Sequence, residues 1–84
     1  MNHLKVARLA LQMYQASKTD RVYAFNLAYN HLLEAQTSNE ASKHLWLCAA
    51  IADLAEVVNA GVTDMRVAVL PCIEDITTIL NDLD

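Results

Sequence analysis

The sequence has very few of the residues that interrupt regular secondary structure. Its 84 residues include one glycine, Gly61, and one proline, Pro71. These two residue types are the strongest local breakers of helices and strands, so a chain nearly without them favours long uninterrupted elements. A single glycine also excludes the glycine-rich phosphate-binding loops and the glycine-flanked serine turn of hydrolases, because each needs two or more glycines at fixed spacing.

Cysteine and charge are also scarce. Cys48 and Cys72 are the two cysteines, and no Cys-x-x-Cys spacing accompanies them, so we predict free core thiols in a reducing cytoplasm rather than a disulfide framework or a zinc motif. Charged residues make up 19% of the chain and hydrophobic residues 55%, against about 25% and 45–50% in an average soluble domain. The apolar surplus predicts burial between subunits or against a partner.

No apolar run is long enough to suggest a membrane span or a leader. The most apolar stretch, residues 45–62, contains Asp53 and Glu56, whose charges would be costly in a bilayer. The first fifteen residues are amphipathic and lack the apolar core and cleavage site of a secretory signal. We therefore predict one domain over residues 1–84, without a membrane segment.

Apolar residues recur every three or four positions through the chain, which is the spacing of amphipathic helices. Short turns between such helices favour antiparallel neighbours. The predicted fold is therefore all-α, a four-helix antiparallel up-down bundle. We expect helix 1 over Leu4–Ser17, and helix 2 from a cap at Thr19 or Asp20 to Gln36. Helix 3 is expected to run from a capping box at Thr37–Glu40 to Ala60, with Gly61 as its stop. Helix 4 is expected to begin after a cap at Thr63 or Asp64.

Pro71 permits two interpretations of the fourth helix. Proline can occupy the first turn of a new helix, with Glu74 and Asp75 favourable in that turn. Alternatively, one helix kinked at Pro71 spans both sides. The apolar row keeps its alternating spacing of three and four across the proline, so the sequence favours the kinked helix. This row consists of Val62, Met65, Val69, Cys72, Ile76, Ile79 and Leu83.

The first helix carries two apolar faces, whereas a simple surface helix needs one. We expect Leu4, Ala7, Leu11 and Tyr14 to face the core, which leaves the other face for a partner. On the second helix Val22, Phe25, Tyr29 and Leu32 form a heavy apolar row, of which Phe25 and Tyr29 are expected in the core. Ala24, Ala28 and Ala35 form a second row of small residues, where another helix could approach closely. Tyr23 lies among asparagines and suits a binding rim. The predicted partner-binding residues are Val6, Leu9, Met13, Tyr23, Trp46 and Val57.

Charge is divided unevenly along the chain. Residues 1–36 contain four basic and two acidic side chains, and residues 37–84 contain two basic and eight acidic ones. An acidic surface on helices 3 and 4 would attract a basic partner, as an inhibitor that imitates DNA does. Direct nucleic-acid binding is not predicted, because the basic footprint is too small.

The side chains that could carry chemistry do not form a recognised motif. His31, His44 and Cys48 can converge across the turn between helices 2 and 3, but their spacing matches no known zinc site. Asp53 and Glu56 share a helix face that we expect to be solvated, where burial cannot tune a pKa. We therefore predict no metal, no cofactor and no enzyme activity.

The sequence as a whole favours a small cytoplasmic accessory protein whose role is protein–protein interaction. We expect a homodimer formed through the second apolar face of helix 1. The alternative is an acidic inhibitor or DNA-mimic-like protein that uses helices 3 and 4.

Overall fold

The chain folds into four α-helices and no strand over residues 3–37, 45–60 and 65–83, which are the residues that the computed structural model describes. The all-α prediction is therefore confirmed. The helices are α1 (His3–Gln15), α2 (Arg21–Thr37), α3 (Leu45–Asn59) and α4 (Leu70–Leu83).

Each helix packs on its neighbours in sequence, and α4 returns to pack on α1, so the four helices form a closed bundle. Helix α1 runs antiparallel to α2, since His3 contacts His31 at one end and Tyr14 stacks edge-on against Phe25 at the other. Helix α1 is antiparallel to α4 as well, because Arg8 donates a hydrogen bond to Thr77 and the Met65 amide donates one to the Tyr14 hydroxyl. Within the described ranges α1 and α3 do not pack on each other, and neither do α2 and α4.

Alanines form the contact of α2 with α1. Ala24, Ala28 and Ala35 are fully buried, and they share a helix face with His31, which touches α1. The heavier row is divided, because Phe25 and Leu32 are buried while Val22 and Tyr29 are exposed, which corrects the expectation that Tyr29 is a core residue. Small side chains let two helix backbones approach closely, so close packing on α1 selects the alanine face over the more hydrophobic one.

Helix α3 buries one row between α2 and α4. Its sequence contains two apolar rows at helical spacing, Leu47–Ile51–Leu54–Val58 and Trp46–Ala50–Val57. The structure buries members of each: Leu47 and Leu54 from the first, Ala50 and Val57 from the second. Val58, at the end of the first row, is 49% exposed. A helix that packs on two neighbours in a bundle buries a single broad stripe.

The turn between α1 and α2 is fixed by two caps. The Asp20 carboxylate accepts a hydrogen bond of 2.7 Å from the Tyr23 amide, which confirms Asp20 as the N-cap of α2. Helix α1 ends in a Schellman motif, in which the Ser17 amide donates to the Tyr14 carbonyl and the Lys18 amide donates to the Met13 carbonyl. Ser17 occupies the left-handed position of this motif with φ 61°, which usually belongs to glycine.

Ser17→Gly should therefore be more stable than Ser17→Ala by about 1 kcal/mol, because a Cβ atom is costly in the left-handed region. Both variants lose the Ser17 hydroxyl, which accepts a hydrogen bond from Arg66, so their difference isolates the backbone. Urea unfolding of the two variants measures it. Equal stabilities would show that Ser17 leaves the left-handed conformation in solution.

Pro71 begins a helix rather than kinking one. Helix α4 starts at Leu70, so Pro71 lies in the first turn, where its missing N–H has no helical partner to lose. The expected kinked helix is wrong, although the spacing that suggested it is real. Residues 66–69 form a turn that runs directly into α4, and in it the Val69 amide donates to the Met65 carbonyl as in a helix. The apolar row therefore keeps its phase, and Met65, Val69 and Cys72 are all buried.

Thr37 is the last residue of α2 and does not cap α3, since its hydroxyl donates to the carbonyls of Leu33 and Glu34. The rest of the expected capping box, Gly61 as a helix stop, and the caps at Thr63 and Asp64 lie outside the described residues. Over the described ranges, each helix is too short or too polar to cross a bilayer.

Candidate interaction surface

The second apolar face predicted for α1 lies on the outside of the bundle. Leu9 is 55% exposed, Met13 is 39% exposed, and Val6 is half-buried. Leu4 and Leu11 are fully buried, and the helical period places Leu9 on the opposite side of α1 from them. We call Val6, Leu9 and Met13 the outer strip of α1.

Helix α2 extends this apolar surface. Tyr23, Leu27 and His31 are spaced four residues apart and form a row along one side of α2. His31 contacts His3 of α1, so the row borders α1 and turns outward toward Tyr23, which is 61% exposed. Leu27 is partly buried against the core. The outer strip together with Tyr23 and Leu27 is called the α1/α2 face below.

The structure separates the remaining predicted partner-binding residues from this face. Trp46 is 47% exposed but lies on α3, the helix diagonal to α1, so it cannot extend the outer strip. Val57 is 9% exposed and belongs to the core. Its proposed role at a surface was therefore wrong, because α3 turns that residue inward with Ala50 and Leu54.

Further large apolar side chains are exposed beyond the α1/α2 face. Val67 is 82% exposed in the turn that precedes α4, and Leu70 is 41% exposed at the start of that helix. The sequence placed neither of them at a surface. The spacing was the available signal, since Val67 and Leu70 lie outside the apolar row of Met65, Val69 and Cys72.

Two carboxyl groups meet between α3 and α4. Asp75 shares a side-chain hydrogen bond with Asp53, and burial together with this contact raises the pKa of Asp75 to about 7. The charge of Glu74 adds to this increase. The sequence paired Asp53 with Glu56 on a solvated face, but Asp53 is half-buried and its partner comes from the next helix. A carboxyl–carboxylate pair of this kind holds one proton between two acids.

The two cysteines lie in different environments. Cys72 is fully buried, and its thiol donates to the Ala50 carbonyl at 3.3 Å. Burial, followed by the charges of Asp53 and Asp75, raises the pKa of the Cys72 thiol to about 12, so it stays protonated and unreactive. Cys48 is exposed, which corrects the expectation that both thiols are core residues.

A thiol reagent should therefore modify Cys48 at least about a hundredfold faster than Cys72 in the native protein, since Cys72 reacts only after the core opens. The single-cysteine chains Cys72→Ala and Cys48→Ser allow each rate to be followed by absorbance. Similar rates would contradict the burial of Cys72, and denaturant should make them converge.

His31 contacts His3 of α1. Its Nδ1 atom lies 2.9 Å from the Nδ1 of His3, because the alanine face of α2 lies against α1. His44 lies outside the described residues, and Cys48 is exposed. In the described ranges no three side chains of the histidine, cysteine and acidic types are placed to hold a metal ion together.

Comparisons of the chain with protein-family models, with curated proteins and with solved structures found no match. The function proposed below is therefore inferred from the chain itself.

Proposed function

We propose that this protein is a non-enzymatic interaction module that forms a homodimer through its α1/α2 face. The observation that carries the proposal is the exposure of Leu9, at 55%, at the centre of an apolar strip on a helix whose opposite side already fills the core. Exposed apolar side chains are common singly, but a contiguous group of them is typical of an interaction site.

The size of the protein is compatible with such an interface. A standard interface takes about 800 Å² from each partner, roughly a sixth of the 5048 Å² surface of this chain. Burying a half-exposed leucine, methionine or tyrosine contributes about 1 kcal/mol, and a twofold axis doubles each contribution. Association entropy opposes this gain, so we expect a dimer that dissociates on dilution in the micromolar range.

The charges near the face favour a second copy as the occupant. Lys5 lies at the α1 edge of the α1/α2 face, and Glu34 lies at its α2 edge, beside the Tyr23–His31 row. Both side chains are exposed. A twofold axis parallel to the helices places the α1 edge of one copy opposite the α2 edge of the other. Opposite charges then approach at the rim, where they contribute to orientation more than to affinity.

The molar mass in solution tests this proposal. Light scattering across a size-exclusion peak should give twice the 9.3 kDa chain mass at high concentration and fall toward one chain on dilution. Added salt should leave the dimer intact, because apolar burial is not screened. A monomer at every concentration up to the millimolar range would contradict the proposal.

An acidic surface on α3 and α4 supports a second candidate, the inhibitor of a basic partner. Asp53, Glu56, Glu74 and Asp75 lie on these two neighbouring helices. The raised pKa of Asp75 reduces the negative charge of this surface near neutral pH, so we rank this function second. Binding to a basic protein that weakens steeply between low and moderate salt would favour it.

The exposed thiol of Cys48 suits a reducing compartment. We therefore propose that the protein acts in the cytoplasm.

A further inference from the structure

We propose that the contact between His3 and His31 is a proton-controlled switch, which holds the first turn of α1 on α2. The two rings attract each other while one of them or neither is protonated, and they repel each other once both are. The switch acts between two helices of one chain, so it does not depend on the proposed dimer.

The two rings are placed to form one hydrogen bond. Their Nδ1 atoms are 2.9 Å apart, a normal hydrogen-bond length, and the ring centres are 5.2 Å apart, so the nitrogens point at each other. Between two neutral rings, one Nδ1 carries the proton and the other accepts it. The bond therefore requires that one of the two Nδ1 atoms carries no proton.

This bond survives a first added proton but not a second. An imidazolium that donates to a neutral imidazole forms a charge-assisted bond, which is stronger than a neutral one. When both rings are charged, each Nδ1 is a donor and no acceptor is left between them. Two like charges at this distance also repel each other strongly. Histidine side chains change charge between about pH 8 and pH 5, so we expect the contact to fail on mild acidification.

The surroundings oppose a second charge in the pair. His3 is the first residue of α1, where the helix dipole disfavours a cation. The first turn of α1 contains no acidic residue and includes Lys5. The carboxylates at this end of the described bundle are Glu34, three residues after His31, and Asp82 of α4. Both are exposed, so solvent screens them and they do not cancel a repulsion at the contact itself.

The packing of α1 on α2 makes the first turn of α1 the part that yields. Ala28 and Leu32, which flank His31 on α2, are fully buried, and Leu4 next to His3 is buried as well. His31 therefore lies in the middle of a helix that the core holds in place. His3 lies at a helix terminus, where local opening costs least. Repulsion between the rings should accordingly loosen the start of α1 and leave the rest of the bundle intact.

A double-mutant cycle at two pH values tests the switch. The four chains are the parent, His3→Ala, His31→Ala and the double variant, each unfolded in urea at pH 7.5 and pH 5. The fluorescence of Trp46, the single tryptophan, follows unfolding below micromolar concentration, where the proposed dimer is dissociated. The amino terminus and the Asp53–Asp75 pair are common to the four chains, so their titration cancels in the cycle.

At pH 7.5 the two histidines should stabilise each other by a factor of about two to ten in the unfolding equilibrium constant, as one net hydrogen bond does. At pH 5 this coupling should vanish or change sign. A coupling of the same sign and size at both pH values would overturn the proposal, because ring packing without proton control gives that result. Additive variants at both pH values would also overturn it, since the rings would then not interact in solution.

Tyr14 and Phe25 provide a matched control for the cycle. Their rings also join α1 to α2, edge-on with centres 5.2 Å apart, and neither ring changes charge between pH 5 and 7.5. The same cycle with Tyr14→Leu and Phe25→Leu should give a coupling that is equal at the two pH values. A coupling that falls equally for both pairs would assign the effect to a general loosening of the α1–α2 contact in acid and contradict the switch.

Hydrogen exchange of the parent chain locates the response. The Ala7 amide bonds to the His3 carbonyl by the regular helical pattern, so it reports the first turn of α1. Its protection factor should fall at least about threefold more than that of the Leu11 amide between pH 7.5 and pH 5, and His31→Ala should remove this difference. An equal change at both amides would contradict a local opening at the start of α1.

Discussion

Replacing Leu9 by glutamate is expected to turn the proposed homodimer into a folded monomer. Leu9 is 55% exposed in the outer strip of α1, and a twofold axis through this face would bury two new carboxylates close together. Burying an unpaired charge costs several kcal/mol, and each 1.4 kcal/mol is a factor of ten in affinity. Dimerisation should therefore weaken by more than about a hundredfold, measured by sedimentation at several concentrations.

Two matched variants make this result specific. Val22→Glu adds the same charge at a side chain that is 64% exposed on α2, away from α1, and should leave the dimer intact. Leu11→Glu adds it to the core, where Leu11 is fully buried, and should unfold the chain. If the Leu9 and Val22 variants behaved alike, the dimer would use another surface.

Raising the pH from 5 to 8 is expected to destabilise the fold by about 1–2 kcal/mol through the Asp53–Asp75 pair, after the shift is discounted for solvent screening. The pKa of Asp75 is raised to about 7 from 3.8. Between these values the native state holds a proton that the unfolded state releases, so stability falls as pH rises through this window. The contribution is complete below pH 3.8 and lost above pH 7.

Asp75→Asn tests this directly, because the amide donates to Asp53 at every pH. Urea unfolding at pH 5 and 8 should show that the variant loses less stability than the parent and is the more stable of the two at pH 8. Glu74→Gln is the control and should keep most of the pH dependence. Measuring all three in the Leu9→Glu chain removes any contribution from dimerisation. The same pH response in Asp75→Asn and the parent would contradict a shared proton.

The helices were predictable because their signals are local. The spacing of apolar residues and the shortage of glycine and proline determine the number of helices. The start of α2 was predictable because the carboxylate of Asp20 can cap the helix that follows it. The alanine row of α2 was predicted as a face that another helix approaches, and those alanines are buried. The exposure of Val22 was not predictable in this way, because hydrophobicity ranks Val22 above Ala24 and the side on which α1 packs decides which residue is buried.

The polar contacts were missed because their partners come from different helices. Asp53 pairs with Asp75, and His31 pairs with His3, across helix contacts that the spacing along one helix does not reveal. The outer strip of α1 was predictable, since two apolar faces on one helix are visible in the sequence. Whether Trp46 joined that strip depended on which helices are neighbours.

The most direct test of the α1/α2 face is an isotope-filtered nuclear Overhauser measurement on a mixture of labelled and unlabelled chains. Such a spectrum reports only contacts between copies. We predict intermolecular contacts from the methyl groups of Leu9 and Met13, including contacts to the Tyr23 ring of the other copy. Their absence at a concentration where the molar mass is that of a dimer, or their appearance at Val67 and Leu70 instead, would contradict the account.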